Sequence, residues 1–249
     1  MINKGIVFAP MLTSCIFFMT NVAAQLSEGV IFHSSGTTEK SFKANGKRWL
    51  QLVDDSTIEA GLYKLRSGEK DPQPVHNYDE IYYVQHGKAK LLAGDSSFDA
   101  RAGSLFYVKA GVVHRFFDIN KDISVLVLFS KAKPSEKDIS AKAYLQEEIE
   151  RAVSPDTVTW TVFHRCTTLA IGIYHLPKIT GGDRTQVHKV DEINVVLKGK
   201  GKFSIDGKDV DVKKGDIIYV PKGYGHFFHD LKNDFEVMIL FENKSKQAR

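Results

Sequence analysis

Cysteine is nearly absent: the 249-residue chain holds Cys15 and Cys166 and no others. Cys15 lies in an apolar N-terminal stretch; once that stretch is removed no disulfide can close within the chain, and packing must hold the fold. Cys166 stands in the strand-like run VTWTVFHRCTTLAIGIY, which lacks the turn chemistry of an activated nucleophile, and reads as a half-buried structural thiol. An excess of one charge is also missing. The formal net charge is +4, basic and acidic residues are interspersed, and no zinc-finger, RRM or KH pattern occurs, which argues against nucleic acid as a partner. What remains, 43% hydrophobic and 26% charged residues, is the composition of a globular chain with one large core or two smaller ones.

The N-terminus has the pattern of a signal peptide over residues 1–24: Lys4, an apolar run to Met19, then the small residues Val22, Ala23 and Ala24 before a cleavage point. This predicts a secreted or periplasmic protein with no stable membrane span after cleavage. Two rivals are a lipoprotein processed at Cys15, after Leu12-Thr13-Ser14, and an uncleaved anchor over Gly5 to Ala24. The apolar Ile16-Phe17-Phe18-Met19 argues against the first, and Pro10 with Thr20-Asn21 against the second.

The rest of the chain is a repeat. Adding 112 carries His76 to His188, Asp79 to Asp191, Glu80 to Glu192, Gly87 to Gly199, Gly103 to Gly215, Tyr107 to Tyr219, Gly111 to Gly223, His114 to His226, Asp118 to Asp230 and Phe129 to Phe241. Each copy is all-β: runs such as IYYVQ, LFYVKAG, INVVLKG and FEVMILF are short and bounded by turn residues, and Asp206-Gly207 marks a hairpin. Between the copies, residues 134–154 read as a linker helix, with Ser135 or Asp138 as cap and Ile139, Ala143, Leu145, Ile149 and Ala152 as its apolar face. The expected organisation is a first domain over 45–133, the linker, and a second domain over 155–243.

Both copies contain V-H-x-x-D-E-I, with histidine and glutamate four residues apart. The flanking VVL and IYYV place this motif on a strand, where Gln186, His188, Val190 and Glu192 point to one side, as do Pro74, His76, Tyr78 and Glu80. That side is the interior if Val187, Ile193 and Val195 pack outward. A further histidine follows 38 residues after the first in each copy, His226 and His114. Two imidazoles and a carboxylate converging in a barrel suit a divalent first-row metal: iron, manganese, nickel, copper or zinc. On the same inward register Tyr82 and Asn194 are candidate substrate-pocket residues. Tyr63, His175, Arg66 and Lys178 are expected near the barrel entrances, at the surface. His229, three residues from His226, is not expected to be a ligand.

These motifs resemble the cupin pattern, G-x(5)-H-x-H-x(3,4)-E-x(6)-G followed by G-x(5)-P-x-G-x(2)-H-x(3)-N, carried twice, so the chain looks like a bicupin over about residues 45–131 and 157–243. The second copy matches at His188, Glu192, Gly199, Gly215, Pro221, Gly223 and His226; the first at His76, Glu80, Gly87, Gly103, Gly111 and His114. It departs from the pattern where the family has its first histidine, here Pro74 and Gln186, and where it has the final asparagine, here Asp118 and Asp230. A glutamine oxygen can ligate weakly and proline cannot, which ranks the second site first. The resemblance implies two jelly-roll barrels and a metal-dependent enzyme of dioxygenase, decarboxylase or isomerase type acting on a small polar molecule, with Glu192 and Glu80 as ligands and candidate proton shuttles. The alternative it implies is a non-catalytic metal-binding, ligand-binding or storage protein. Cupin barrels also pair edge to edge, within one chain or as a homo-oligomer.

Overall fold

A computed structural model describes residues 24–25, 29–151, 153–154 and 156–242. The leader expected over 1–24 falls, apart from Ala24, outside the described residues. The first part of the chain runs β1 (Ala24–Gln25), β2 (Ile31–His33), α1 (Ser35–Asn45), β3 (Trp49–Asp54), β4 (Ile58–Leu65), β5 (Asp79–Ala93), β6 (Ser96–Arg101), β7 (Leu105–Val108) and β8 (His114–Ser130). The second runs β9 (Ala141–Tyr144), α2 (Gln146–Arg151), β10 (Thr159–Arg165), β11 (Leu169–Leu176), β12 (Gln186–Val187), β13 (Glu192–Lys198), β14 (Lys200–Ile205), β15 (Lys208–Lys213), β16 (Ile217–Val220), β17 (Gly225–His229) and β18 (Phe235–Glu242).

Each copy is an antiparallel β-barrel. In the first, the long strands β5 and β8 pair along their whole length, with register shifts between Val84 and Lys90 that bend them from one face of the barrel to the other. In the second, the same path is split into β13 and β14, and into β17 and β18, so two sheets are formed, of seven and four strands. The bend falls at Gly87 and Gly199, with φ of 95° and 93°. A Cβ there would meet the carbonyl oxygens of Asp122 at 2.2 Å and Asp234 at 2.6 Å, so only glycine lets the strand turn so close to its neighbour. Asp118 and Asp230, at the family's asparagine position, have φ of 48° and 52°, a left-handed turn that a short polar side chain tolerates.

Strand alternation divides the buried residues into three cores. Tyr82, Val84, Phe106 and Phe116 fill the first barrel; Val196, Phe203, Ile218 and Phe228 fill the second. Ile81, Leu105, Ile193, Val195 and Leu240, on the opposite faces of these strands, form a third core between the barrels. Ile193 and Val195 therefore pack outward as expected, whereas Val187 is 61% exposed and packs against no second layer.

Segments outside each barrel cross the seam. β2 pairs with β16 of the second barrel, and β9 pairs with β7 of the first. The expected helix over 134–154 is thus corrected: Ala141–Tyr144 is strand, and the helix is α2 alone. The open edge of β7 claims those backbone groups, overriding the helical propensity of AKAYLQEE. Neither anticipated cap serves a helix. Ser135 Oγ accepts from Lys137 N at 3.2 Å, and Asp138 accepts from Thr167 N. Conversely, α1 was not legible as a helix; Ser34 caps it by accepting from Thr37 N, and Gly46 ends it in the left-handed region.

Side-chain latches close the seam reciprocally. Thr168 Oγ1 donates to Asp79 Oδ2 at 2.5 Å, and Thr57 Oγ1 donates to Asp191 Oδ2 at 2.6 Å. The other carboxylate oxygens accept from Ala110 N at 2.9 Å and Lys222 N at 2.8 Å. Each aspartate immediately precedes the motif glutamate, so the seam fixes the start of the strand that carries it. No helix among the described residues is long and apolar enough to cross a membrane.

Candidate metal centres

The first residue of β5 after Asp79 is Glu80, and the first residue of β13 is Glu192; they are 0% and 1% exposed inside their barrels. The turns after β7 and β16 deliver His114 and His226 to the starts of β8 and β17, 3% and 4% exposed. His76 and His188 come from the loops before β5 and β13 and are half-buried, so each site opens past one histidine. In both clusters the ligand-capable atoms lie within 4.8 Å of one another. The repeat extends to the packing: His76 meets Phe129 edge-on at 5.1 Å between centroids, and His188 meets Phe241 at 4.8 Å.

In the C-terminal centre, His188 Nδ1 pairs with Glu192 Oε2 at 2.8 Å, and His226 Nε2 lies 2.7 Å from Glu192 Oε1. His226 Nδ1–H donates to Tyr224 O at 3.1 Å, so in the neutral ring Nε2 carries a lone pair and faces another acceptor. Glu192 Oε1 accordingly has no hydrogen bond. Only a proton or a metal ion between the two atoms reconciles them. Burial would depress the His226 imidazole, yet Glu192 raises it above the ordinary 6.5. Burial would raise the Glu192 carboxyl, but His188 and His226 hold it below 4.5.

In the N-terminal centre, His76 Nδ1 and Glu80 Oε1 approach to 3.0 Å and neither is hydrogen-bonded. Glu80 beside it raises His76 above its ordinary value. The orphaned buried atoms turned toward a common point, with one carboxylate and two imidazoles in each set, make both triads sites for a divalent first-row metal.

The other residues singled out in the sequence divide. Gln186 is half-buried and is the register partner of His226 across β12 and β17, whereas Pro74 is exposed and contributes no donor. Tyr82 is wholly buried at the N-terminal centre, its hydroxyl bonded to Glu80 and 2.8 Å from His114 Nε2. Burial, and then Glu80, push that phenol well above 10. Asn194, the repeat equivalent, is 0% exposed and neither side-chain amide atom has a partner. Tyr63 and His175 are buried, not surface residues; Tyr63 Oη donates to Asp71 Oδ1 at 2.6 Å. Arg66 and Lys178 are exposed. Cys166 is a buried thiol raised by burial, and His229 pairs with Asp209 at 3.2 Å, away from the ligands. Sequence reasoning missed Gln73 and Asp71, which support Tyr82 from a loop; two polar residues in a loop carry no periodic signal.

Paired jelly-roll barrels, each enclosing a His/Glu/His triad, define a two-centre metal-binding β-barrel protein. The chain belongs to the cupin family: the cupin domain model matches residues 61–129 and 172–241. An uncharacterised protein of Streptomyces coelicolor is 40% identical over 87 residues, 35% of this chain and 83% of that protein. The acireductone dioxygenase of Tuber melanosporum is 31% identical over 83 residues, 31% of this chain and 48% of the enzyme, so the chain spans about half the length of that relative. Among solved structures, a salicylate 1,2-dioxygenase from Pseudaminobacter salicylatoxidans superposes with a TM-score of 0.71 at 14% identity, covering 85% of this chain and 83% of that one. The last likeness is one of fold.

Proposed function

We propose that this protein is a metal-dependent enzyme of dioxygenase type acting on a small polar organic molecule, with its chemistry at the C-terminal centre. The observation that carries the reading is Asn194: a fully buried carboxamide with neither atom paired, two residues along the strand from the ligand Glu192. Leaving such a group unpaired is costly, and a ligand that both donates and accepts a hydrogen bond relieves it. The dioxygenase names borne by the Tuber relative and the salicylate enzyme support the reaction type.

His188, Glu192 and His226 would hold the metal, with Gln186 as a weak further donor. When bound, a divalent first-row metal supplies a Lewis acid with open coordination positions. The chain does the rest. Asn194 orients the substrate, and Phe203 and Phe228 exclude water from the interior; in the metal-free centre Glu192 Oε1 and His226 Nε2 hold a proton between them, which metal binding displaces. Glu80 occupies the corresponding place in the N-terminal centre.

The test is oxygen uptake by the full chain loaded in turn with iron, manganese, nickel, copper and zinc, against a panel of small hydroxy and phenolic acids that includes salicylate. Uptake is expected with at least one pair, retained in His76→Ala and lost in His188→Ala. Metal bound but no uptake or product across the panel would overturn the enzyme reading and leave a non-catalytic binding protein. The proposal includes a secreted or periplasmic location, supported by the pattern of residues 1–24; N-terminal sequencing of the exported protein should begin at Gln25.

A further inference from the structure

Beside Pro74 against Gln186, the two centres differ at the position two residues past the glutamate, Tyr82 against Asn194. The Tyr82 hydroxyl contacts Glu80 Oε2, lies 2.8 Å from His114 Nε2, and lies 3.1 Å from Gln73 Oε1. The protons around it can be counted. His114 Nδ1–H donates to Val112 O at 2.8 Å, which leaves a lone pair on Nε2 of the neutral ring. Gln73 Nε2 donates to Asp71 Oδ2 at 2.8 Å, which turns Oε1 toward Tyr82. One O–H therefore faces three acceptors, while Glu80 Oε1, which has no hydrogen bond, stands 3.5 Å from His114 Nε2. Buried acceptors held this close repel one another unless a cation lies among them. Donors about 2.1 Å from one ion sit about 3.0 Å apart at right angles and about 3.4 Å apart at the tetrahedral angle. The 2.8 Å between Tyr82 and His114 Nε2 and the 3.5 Å between Glu80 Oε1 and His114 Nε2 bracket that range.

The geometry points to Tyr82 as a fourth protein donor of the N-terminal metal centre, its phenolate oxygen joining His76, Glu80 and His114. The chain itself closes that centre, whereas the C-terminal centre, with Asn194 in the same place and unpaired, stays open to a substrate. On binding, the phenol O–H bond breaks heterolytically as an oxygen lone pair forms the bond to the metal; the proton leaves to solvent and no oxidation state changes. The inference rests on the two triads being metal sites. It assigns the repeat a division of labour, with one closed, structural centre and one open, reactive centre.

The experiment loads the full chain with iron(III) and records iron per chain by elemental analysis beside the visible absorption spectrum. Wild type is expected to hold two irons, one per triad, and to show a phenolate-to-iron charge-transfer band. His188→Ala should lose one iron and keep the whole band; His76→Ala should lose one iron and the band with it. Tyr82→Phe should lose the band at least tenfold with its fold intact by circular dichroism. No band in a wild type that holds two irons, or a band persisting in Tyr82→Phe or His76→Ala, overturns the assignment of Tyr82. A wild type that takes up neither iron nor manganese, nickel, copper or zinc overturns the metal reading itself.

Discussion

Glu192 is held between two imidazoles in a barrel interior, and its charge ties stability to pH. Its pKa is depressed below 4.5, so its pairing contributes above that value and is lost as pH falls through the folded pKa. His226 and His76 are raised above 6.5, so their pairings are complete below that value and are lost as pH rises through their folded pKa. The metal-free protein should therefore have its highest melting temperature between about pH 4.5 and 6.5. Metal binding needs unprotonated imidazole, so saturating metal should move the optimum upward; thermal melts from pH 4 to 8 with and without a chelator read both. Glu192→Gln keeps the shape and removes the charge. It should weaken metal at the C-terminal centre by more than the ~10–100-fold that loss of a supporting hydrogen bond costs, as read by competition with a chromophoric chelator. At this scale the ligands were legible in the sequence because histidine and glutamate recur at fixed spacing in both copies. The contact from Tyr82 to Gln73 was not, because it joins a strand to a loop.

The bend between β13 and β14 depends on a single residue. Gly199→Ala would put a Cβ 2.6 Å from Asp234 O at a φ of 93°. The strain should cost about 2 kcal/mol and lower the melting temperature by about 4–8 °C, measured by calorimetry. The strands themselves were readable from period-two alternation and from Gly, Asp and Asn at their ends. Two elements were not. β9 has the composition of a helix, and its state is decided by the unpaired edge of β7, a partner remote in sequence. α1 carries few apolar residues in SGTTEKSFKAN, and only its inward Phe42 joins a core.

The barrels are bound into one unit by the apolar seam, the exchanged strands β2 and β9, and the paired latches from Thr168 to Asp79 and from Thr57 to Asp191. The repeat made two domains visible, but the seam was not, since the outward-facing strand residues that form it look in sequence like ordinary strand positions. A fragment of residues 155–243 lacks β2 and would expose the seam core; it should show no cooperative melt, whereas the full chain should unfold in one transition. Thr168→Val removes the hydroxyl donor from a buried carboxylate oxygen and leaves it only the Cys166 thiol at 3.9 Å. It should cost about 1–3 kcal/mol and weaken metal at the N-terminal centre through Glu80, the residue after Asp79. Each barrel holding a metal through its own triad can be read by elemental analysis of protein purified without chelators, beside His76→Ala and His188→Ala. Metal content should approach two per chain and fall by half in either variant. A wild type that binds none of iron, manganese, nickel, copper or zinc after incubation would contradict it.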